Sequence, residues 1–502
     1  SSSHTAGSHH IALVVRDLLG EKPVRARLTF DPSGSYARTY REQGVDIAFA
    51  TGLIGKKLTD EGFDKALARA GKAGLRLEFR VAPLKDAAHP NTVEILLVGE
   101  SGQRLEARAE STGGGTFLVT RVEGFPVRLD GRVHEVLVRG RRIPLSSVRR
   151  WIGASPALAG RPDVATRGGE SLLSLHLPEP GPSVVRRLAA RPGIAQVMTS
   201  APVYLVQRGG PLFRSAADIV RIASRRRWTL GRTALAYESD LLGLPEREVT
   251  GEILARYDIM KASVDRGLAG RGIRMQLLRP TARKIWLAEK RKQVSLGGPH
   301  TRAAARALAA MHVSNSMGVV CAAPTGGSAG VIPGVVVTMA EEWKLPRKRL
   351  AEALLAASAV GLVLAERATF AAEIAGCQVE IGAAGAMGAA AVVEAAGGTA
   401  RQALDAAAIS FQNTMGSVCD LVQGMCEIPC HTRNAAAASN AFLCADLILG
   451  GYENPVPLDD TVDAVYDSGK MLPSELRVTA RGGLALAPSA RRLPNLRQRR
   501  SK

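Results

Sequence analysis

From Ile11 to about Val127 the apolar positions come in short runs, Ala26 to Phe30, Thr92 to Gly99 and Thr116 to Val122, set apart by Gly and Pro. Leu58 to Ala73 breaks that rhythm with apolar residues at helical spacing, so this part of the chain predicts a mixed α+β fold. From Val133 to Leu205 two further apolar runs flank Pro180 to Ala195, whose Gly181-Pro182-Ser183 start favours a turn followed by a helix. A small βα module fits there. After Gly209-Gly210-Pro211 the pattern becomes Ala-rich and helical up to about Leu449, in residues that are strong helix formers. The fold expected is therefore multidomain: an α+β N-terminal domain over 1–128, a small βα module over 129–208, an all-α C-terminal domain over 211–490 and a tail over 491–502.

Length agrees with that division, since 502 residues exceed one ordinary domain. Six cysteines in so long a chain, without the dense spacing of a secreted scaffold, read as reduced thiols in the cytoplasm. The chain opens on Ser1 with no basic or apolar leader, so no export signal is expected. Its most apolar stretch, Leu354 to Ala365, falls far short of the roughly 20 residues a membrane span needs. A formal charge of +20 raises the question of nucleic acid. Nine Lys or Arg lie between Arg271 and Arg302, and six more among the last twelve residues. The excess is mostly arginine spread over several segments, with no zinc-finger, RRM or KH pattern, so a solvated basic surface is expected rather than a nucleic-acid partner.

The chemistry concentrates in Cys377, Cys419 and Cys430, within Gly-Cys-Gln-Val-Glu, Val-Cys-Asp-Leu-Val-Gln-Gly and Ile-Pro-Cys-His-Thr-Arg-Asn. Three thiolates can hold three corners of an iron–sulfur cluster and leave one iron open to substrate. Their spacings of 42 and 11 residues are loose, and three cysteines buried in helices would satisfy spacing alone. Flanking residues sort them: Gly376, Asp420 and Pro429 interrupt helices beside these three, whereas Cys321 and Cys444 sit in plain apolar runs and read as core. Cys426, four residues before Cys430, is the internal candidate for a fourth ligand.

Together these motifs resemble the bacterial iron–sulfur-dependent L-serine dehydratases, with the β and α parts that some bacteria make separately joined in one chain. Ser1 to Gly7, Gly34-Ser35-Tyr36-Ala37-Arg38-Thr39, His89-Pro90-Asn91-Thr92 and Ser111-Thr112-Gly113-Gly114-Gly115 carry the β likeness. Asn315-Ser316-Met317-Gly318, Ala323 to Gly330, Gly376-Cys377-Gln378, Cys419-Asp420, Pro429-Cys430 and Arg433-Asn434-Ala435 carry the α likeness. The resemblance implies a 4Fe–4S cluster on Cys377, Cys419 and Cys430, whose open iron acts as a Lewis acid while L-serine, or a close β-hydroxy amino acid, loses water, after which hydrolysis of the resulting imine gives ammonia and pyruvate or another 2-oxo acid. It also implies a catalytic all-α domain, an ACT-like module over 129–208 and a homodimer. His4, with Ser3 and Thr5, is the expected proton-transfer or substrate-orienting group, because imidazole titrates near working pH. Ser111, Thr325, Gly327, Ser328, Arg433 and Asn434 are expected to bind substrate, the glycine allowing close backbone approach.

Departures qualify the substrate. Gln43 stands where the family commonly carries a histidine, and an amide cannot act as a base at neutral pH. Leu421 replaces a usual proline, Arg367 to Ala372 replaces a Ser/Gly-rich stretch, and no cysteine lies near the C-terminus. Arg139 to Pro144 lacks a recognisable glycine-bearing ligand loop, and the first motif begins at residue 1, so some upstream residues are expected to be absent. Three other readings stand beside this one: a pyridoxal-phosphate lyase, which needs a Schiff-base lysine where only Lys344 and Lys348 occur between Gln293 and Lys470; a cluster-bearing nucleic-acid sensor; and a non-catalytic homologue.

Overall fold

The structure is a computed structural model and describes residues 2–152, 158–179 and 181–494. Most of the basic tail, from residue 495 on, lies outside the described residues. The chain divides into two compact units, one over Ser3–Gly209 and one that takes in Ser2 and the chain from Gly210 onward.

In the first unit the alternating runs become strands β1 (Pro23–Phe30), β2 (Arg76–Val81), β3 (Thr92–Gly99), β4 (Arg104–Gly113), β5 (Thr116–Val122) and β6 (Phe125–Leu129). They form one sheet in the order β2-β1-β3-β4-β5-β6, with β1 and β2 parallel and the remaining pairs antiparallel. Alternation along β1 and β3 sends Ala26, Leu28, Phe30, Val93, Ile95 and Leu97 into a core closed by the helix Ala6–Leu19. The helix expected from Leu58 begins only at Ala66, after a 3-10 turn over Phe63–Lys65. Asp60 explains the delay, because its carboxylate accepts the Gly62 N–H and pairs with Arg69, holding the backbone in a turn.

A second sheet follows, from β7 (His134–Arg141), β8 (Asp163–Arg167), β9 (Glu170–Leu177) and β10 (Ile194–Ser200), in the order β10-β7-β9-β8 and wholly antiparallel. With helices Leu145–Ile152 and Pro182–Ala189 this is a βαββαβ unit of the split-βαβ kind. Val136, Val138, Leu173 and Leu175 face the two helices, while Leu137, Leu172 and Met198 on the other face join the first core.

The second unit is helical and has no named strand among the described residues. At its centre the helix Ile381–Ala395 is buried on every side, and its run of Gly and Ala explains why. A Cβ at Gly388 would touch Ala441 and Val335, and one at Gly385 would approach Ser410, so the small residues let four neighbouring helices close in. Those neighbours are Val331–Glu342, Arg347–Arg367, Ala400–Gln412 and Cys430–Leu449. No helix among the described residues is long and apolar enough to cross a membrane.

Candidate metal centre

The three cysteines stand on breaks between helices of the second unit. Gly376 takes φ of 75°, and a Cβ there would lie 2.7 Å from the Ser417 carbonyl, so only glycine turns the chain into Cys377. The Cys377 N–H then donates to Ser417 O at 2.9 Å. Cys419 is pinned through its backbone: its N–H donates to Leu476 O and its carbonyl accepts from Val478. Cys430 is the first residue of the helix Cys430–Leu449, where the positive end of the macrodipole favours a thiolate.

All three are buried, and Cys426 is half-buried beside them. Cys419 lies within hydrogen-bond reach of Cys377, whose acidity is increased by that bond and by the Arg433 guanidinium. As donor, Cys419 is pushed well above the ordinary thiol value by that bond, then by burial and the Cys377 charge. Cys426 and Cys430 form a second such pair, with Cys426 lowered to about 7 by the hydrogen bond from Cys430, and Cys430 raised. Arg433 donates to Val418 O at 2.8 Å and pairs with Asp420 at 3.0 Å. Burial works against its charge, but Cys377, Asp420, Cys430 and Cys419 outweigh that and raise it.

Glu380, which the sequence reading did not single out, belongs to the same group. Burial, followed by the charge of Cys377, pushes its carboxyl well above the usual range, partly offset by a bond with Thr325. Its oxygens lie against Gly327, where a Cβ would come within 3.1 Å of them. Thr325 and Ser328 cap the short turn Gly326–Ser328, their hydroxyls 3.0 Å apart, and the Gly326 N–H donates to Ser2 Oγ at 2.6 Å. Asn434 ties this loop to the third cysteine: its Oδ1 accepts from Gly330, and its Nδ2 donates to Gly327 O and Cys430 O, each at 2.8 Å. A cavity of about 280 Å³ opens beside Cys377 and Arg433, with Gly382, Asn413, Thr414 and Asn440 in its wall. Cys444 sits in the core as expected, and Cys321 is half-buried against it.

Among the described residues no three His, Cys, Asp or Glu side chains stand close enough to share a single metal ion. One ion would draw its sulfurs to within ~4 Å of each other, each about 2.3 Å from the centre. In a cluster each thiolate has its own iron, and the donor set here, soft buried thiols with one guanidinium among them, fits that group in its chemistry.

The remaining candidates lie in the first unit. His4 is buried, and its ring meets Ser3 Oγ at 3.0 Å, Ser35 Oγ at 3.2 Å and Thr39 Oγ1 at 2.9 Å. Ser111 donates to Ser3 O at 2.6 Å, and Thr5 donates to the Gln43 carbonyl. The Gln43 amide is buried with neither polar atom partnered. Nearby in sequence, burial raises the Asp46 carboxyl to about 6. Lys344 and Lys348 are both exposed, in no position to carry a buried Schiff base.

The family model for the serine dehydratase alpha chain matches residues 150–485, well over half of the chain. The chain belongs to that family. The family's span contains every cysteine described above and begins after the motifs of the β likeness. A probable L-serine dehydratase alpha chain of Bacillus subtilis is 37% identical over 283 residues, which cover 56% of this chain and 94% of the relative. The L-serine dehydratase alpha chain of Peptoniphilus asaccharolyticus is 34% identical over 275 residues, 55% of this chain and 94% of that one. L-serine dehydratase 2 of Escherichia coli is 32% identical over 284 residues, 55% of this chain and 61% of its own. This family places the chain among the ammonia-lyase enzymes.

Proposed function

We propose that the protein takes water from L-serine, or a close β-hydroxy amino acid, and that the resulting imine takes water back to release ammonia and leave pyruvate or the matching 2-oxo acid, with a 4Fe–4S cluster held by Cys377, Cys419 and Cys430. The observation that carries this reading is the buried thiol group with Arg433 in its midst, inside the span that matches the family. When bound, the cluster supplies Lewis acidity to the β-hydroxyl, a poor leaving group on its own.

The chain's own residues do the rest of the work. Arg433 steadies thiolate charge and, from the wall of the cavity beside Cys377, offers a cation to the substrate carboxylate. Thr325, Gly327 and Ser328 present hydroxyls and a close-approaching backbone, with the Glu380 carboxyl, its proton held more tightly by burial, beside them. Asn434 acts one step removed, since its amide is spent on Gly327, Gly330 and Cys430 backbone groups and so fixes the loop that meets the substrate. Residues 1–128 supply what other bacteria make as a separate β chain, and His4, oriented by three hydroxyls, moves or holds a proton there. The protein works in the cytoplasm, as a homodimer.

Anaerobic reconstitution with iron and sulfide, followed by iron counting and an ammonia assay on a panel of β-hydroxy and β-thio amino acids, tests the whole reading. About four irons per chain and ammonia from L-serine or a close relative are expected. Iron-free, colourless protein overturns it. One observation makes the panel necessary: the buried Gln43 amide stands where the family's histidine is expected, so the surroundings there differ from those of a standard member and leave room for a differently substituted β-hydroxy amino acid.

A further inference from the structure

The outward face of the first sheet carries a cleft of about 360 Å³ on strands β1, β3, β4 and β5, with the last residue of β8 also in its wall. Arg27, Arg108, Arg121 and Arg167 line it, against the carboxylates of Glu94 and Glu106. Those carboxylates are already engaged. Glu94 pairs with Arg108 and Glu106 with Arg104, while Arg27 donates from Nε to Glu78 at 2.9 Å. That leaves Arg121 and Arg167, both exposed, whose guanidinium groups have no hydrogen-bond or ion-pair partner among the described residues.

Strand pairing sharpens this excess of positive charge. Ala109 on β4 pairs with Val119 on β5, so an unbroken register would set neutral Thr120 opposite Arg108. The pairing slips by one residue there, and Arg108 faces Arg121 instead. Like charges directly opposite each other in an antiparallel pair cost stability, and Arg108 is buried, where salt screens little. Arg167 adds a third guanidinium, laid against Gly124, where any Cβ would displace it. Cations gathered around one space in this way are offset by a bound anion. We infer that this cleft binds the phosphate group of a small phosphate monoester, held by Arg121 and Arg167 with Arg108 behind them. Planar guanidinium forks match the oxygens of a phosphate, whose double charge engages both. Leu96, paired with Arg27 across β3 and β1, offers an apolar surface to the organic part, and the volume exceeds what a bare phosphate ion fills. Every lining residue lies in the first unit, far in sequence from the cysteines, so the site stands independently of the proposed cluster.

Calorimetric titration of the full chain at constant ionic strength, with inorganic phosphate, glycerol phosphate and adenosine monophosphate, tests it, with acetate as a singly charged control. At least one ester is expected to bind at one site per chain, more tightly than inorganic phosphate and far more tightly than acetate. Arg121→Gln and Arg167→Gln should each weaken that binding by about 10-fold, the cost of a hydrogen bond to a charged group. Both side chains are exposed, so the fold should survive; circular dichroism checks this, and either variant carries the test if the other misfolds. Arg25→Gln removes an equally exposed cation of β1 that lies outside the cleft, and should leave binding unchanged. No binding of any phosphate compound overturns the inference. So does a loss in Arg25→Gln equal to that in Arg121→Gln, since the phosphate would then answer to the basic surface at large. Acetate bound as tightly as the esters overturns the choice of phosphate, and inorganic phosphate bound as tightly as both esters overturns the choice of a monoester.

Discussion

Two buried polar groups, one in each unit, are built on opposite plans. Around His4 the hydroxyls of Ser3, Ser35 and Thr39 meet the ring, so protein atoms supply its hydrogen bonds. Around Cys377 the partners are other acids. Cys419, Cys426, Cys430 and Glu380 crowd one another, and Arg433 is the cation that reaches Cys377, Cys419 and Cys430. Each thiol can ionise only at its neighbour's expense, which is why one of each pair is raised while the other is lowered. A group of this kind is completed by added positive charge that takes sulfur ligands. The contrast agrees with the separate tasks proposed above, orientation of a proton carrier in the first unit and retention of iron in the second.

The strongest way to break the comparison is to take one thiol from the second group. Cys419→Ser should leave reconstituted protein without a stable cluster and without measurable ammonia release, whereas Cys444→Ser, in the core, should keep both. Iron counting alongside the ammonia assay reads both effects. Equal loss in the two variants would dissolve the distinction between site and core thiols.

His4→Gln strikes the other group. It should keep the iron content and lower turnover by about 10²- to 10⁴-fold, the usual contribution of a positioned acid or base. Loss of iron in this variant would show that the two groups do not divide the work as described.

Arg433→Met sharpens the account of the thiol group. Its charge offsets that of the thiolates, so its removal should weaken iron retention by about 10- to 100-fold while the secondary structure persists. A chelator competition under anaerobic conditions measures this. Unchanged retention would confine Arg433 to the substrate side of the cavity.

The two groups were unequally legible in the sequence, for physical reasons. Strands β1, β3 and β5 announced themselves because one face is buried and alternation is clean. Strand β4 is harder to read: Arg104, Glu106, Arg108 and Glu110 put charge at every second position and leave Ala as much of its apolar face. The site cysteines could be told from the core cysteines by the residues that break helices around them, and Gly376 shows the cause in its left-handed backbone. Nothing local marks Glu380, whose place depends on which turns the helices bring together, whereas the four-residue spacing already sets Cys426 beside Cys430. The split-βαβ order of the second sheet was likewise hidden, since β8 is short and half exposed and its partner in register is set by the whole unit.

The smallest effect tests whether the first unit is as neutral inside as the comparison requires. Asp46 is one of the ionisable groups buried there, with Glu135 and Arg108, and its carboxyl is raised from 3.8 to about 6 by burial despite the Ile47 N–H that it accepts. A folded-state value above the unfolded one means that the fold holds the proton more tightly. The resulting stabilisation is complete below about pH 4 and is lost as pH rises through about 6. Asp46→Asn keeps an acceptor for Ile47 but cannot ionise. Its stability relative to the wild type should therefore grow by about 2 kcal/mol between pH 4 and pH 8, read from urea midpoints across that range. A difference that stays flat with pH would mean that Asp46 ionises as easily folded as unfolded, and the interior of the first unit would then tolerate charge much as the thiol group of the second does.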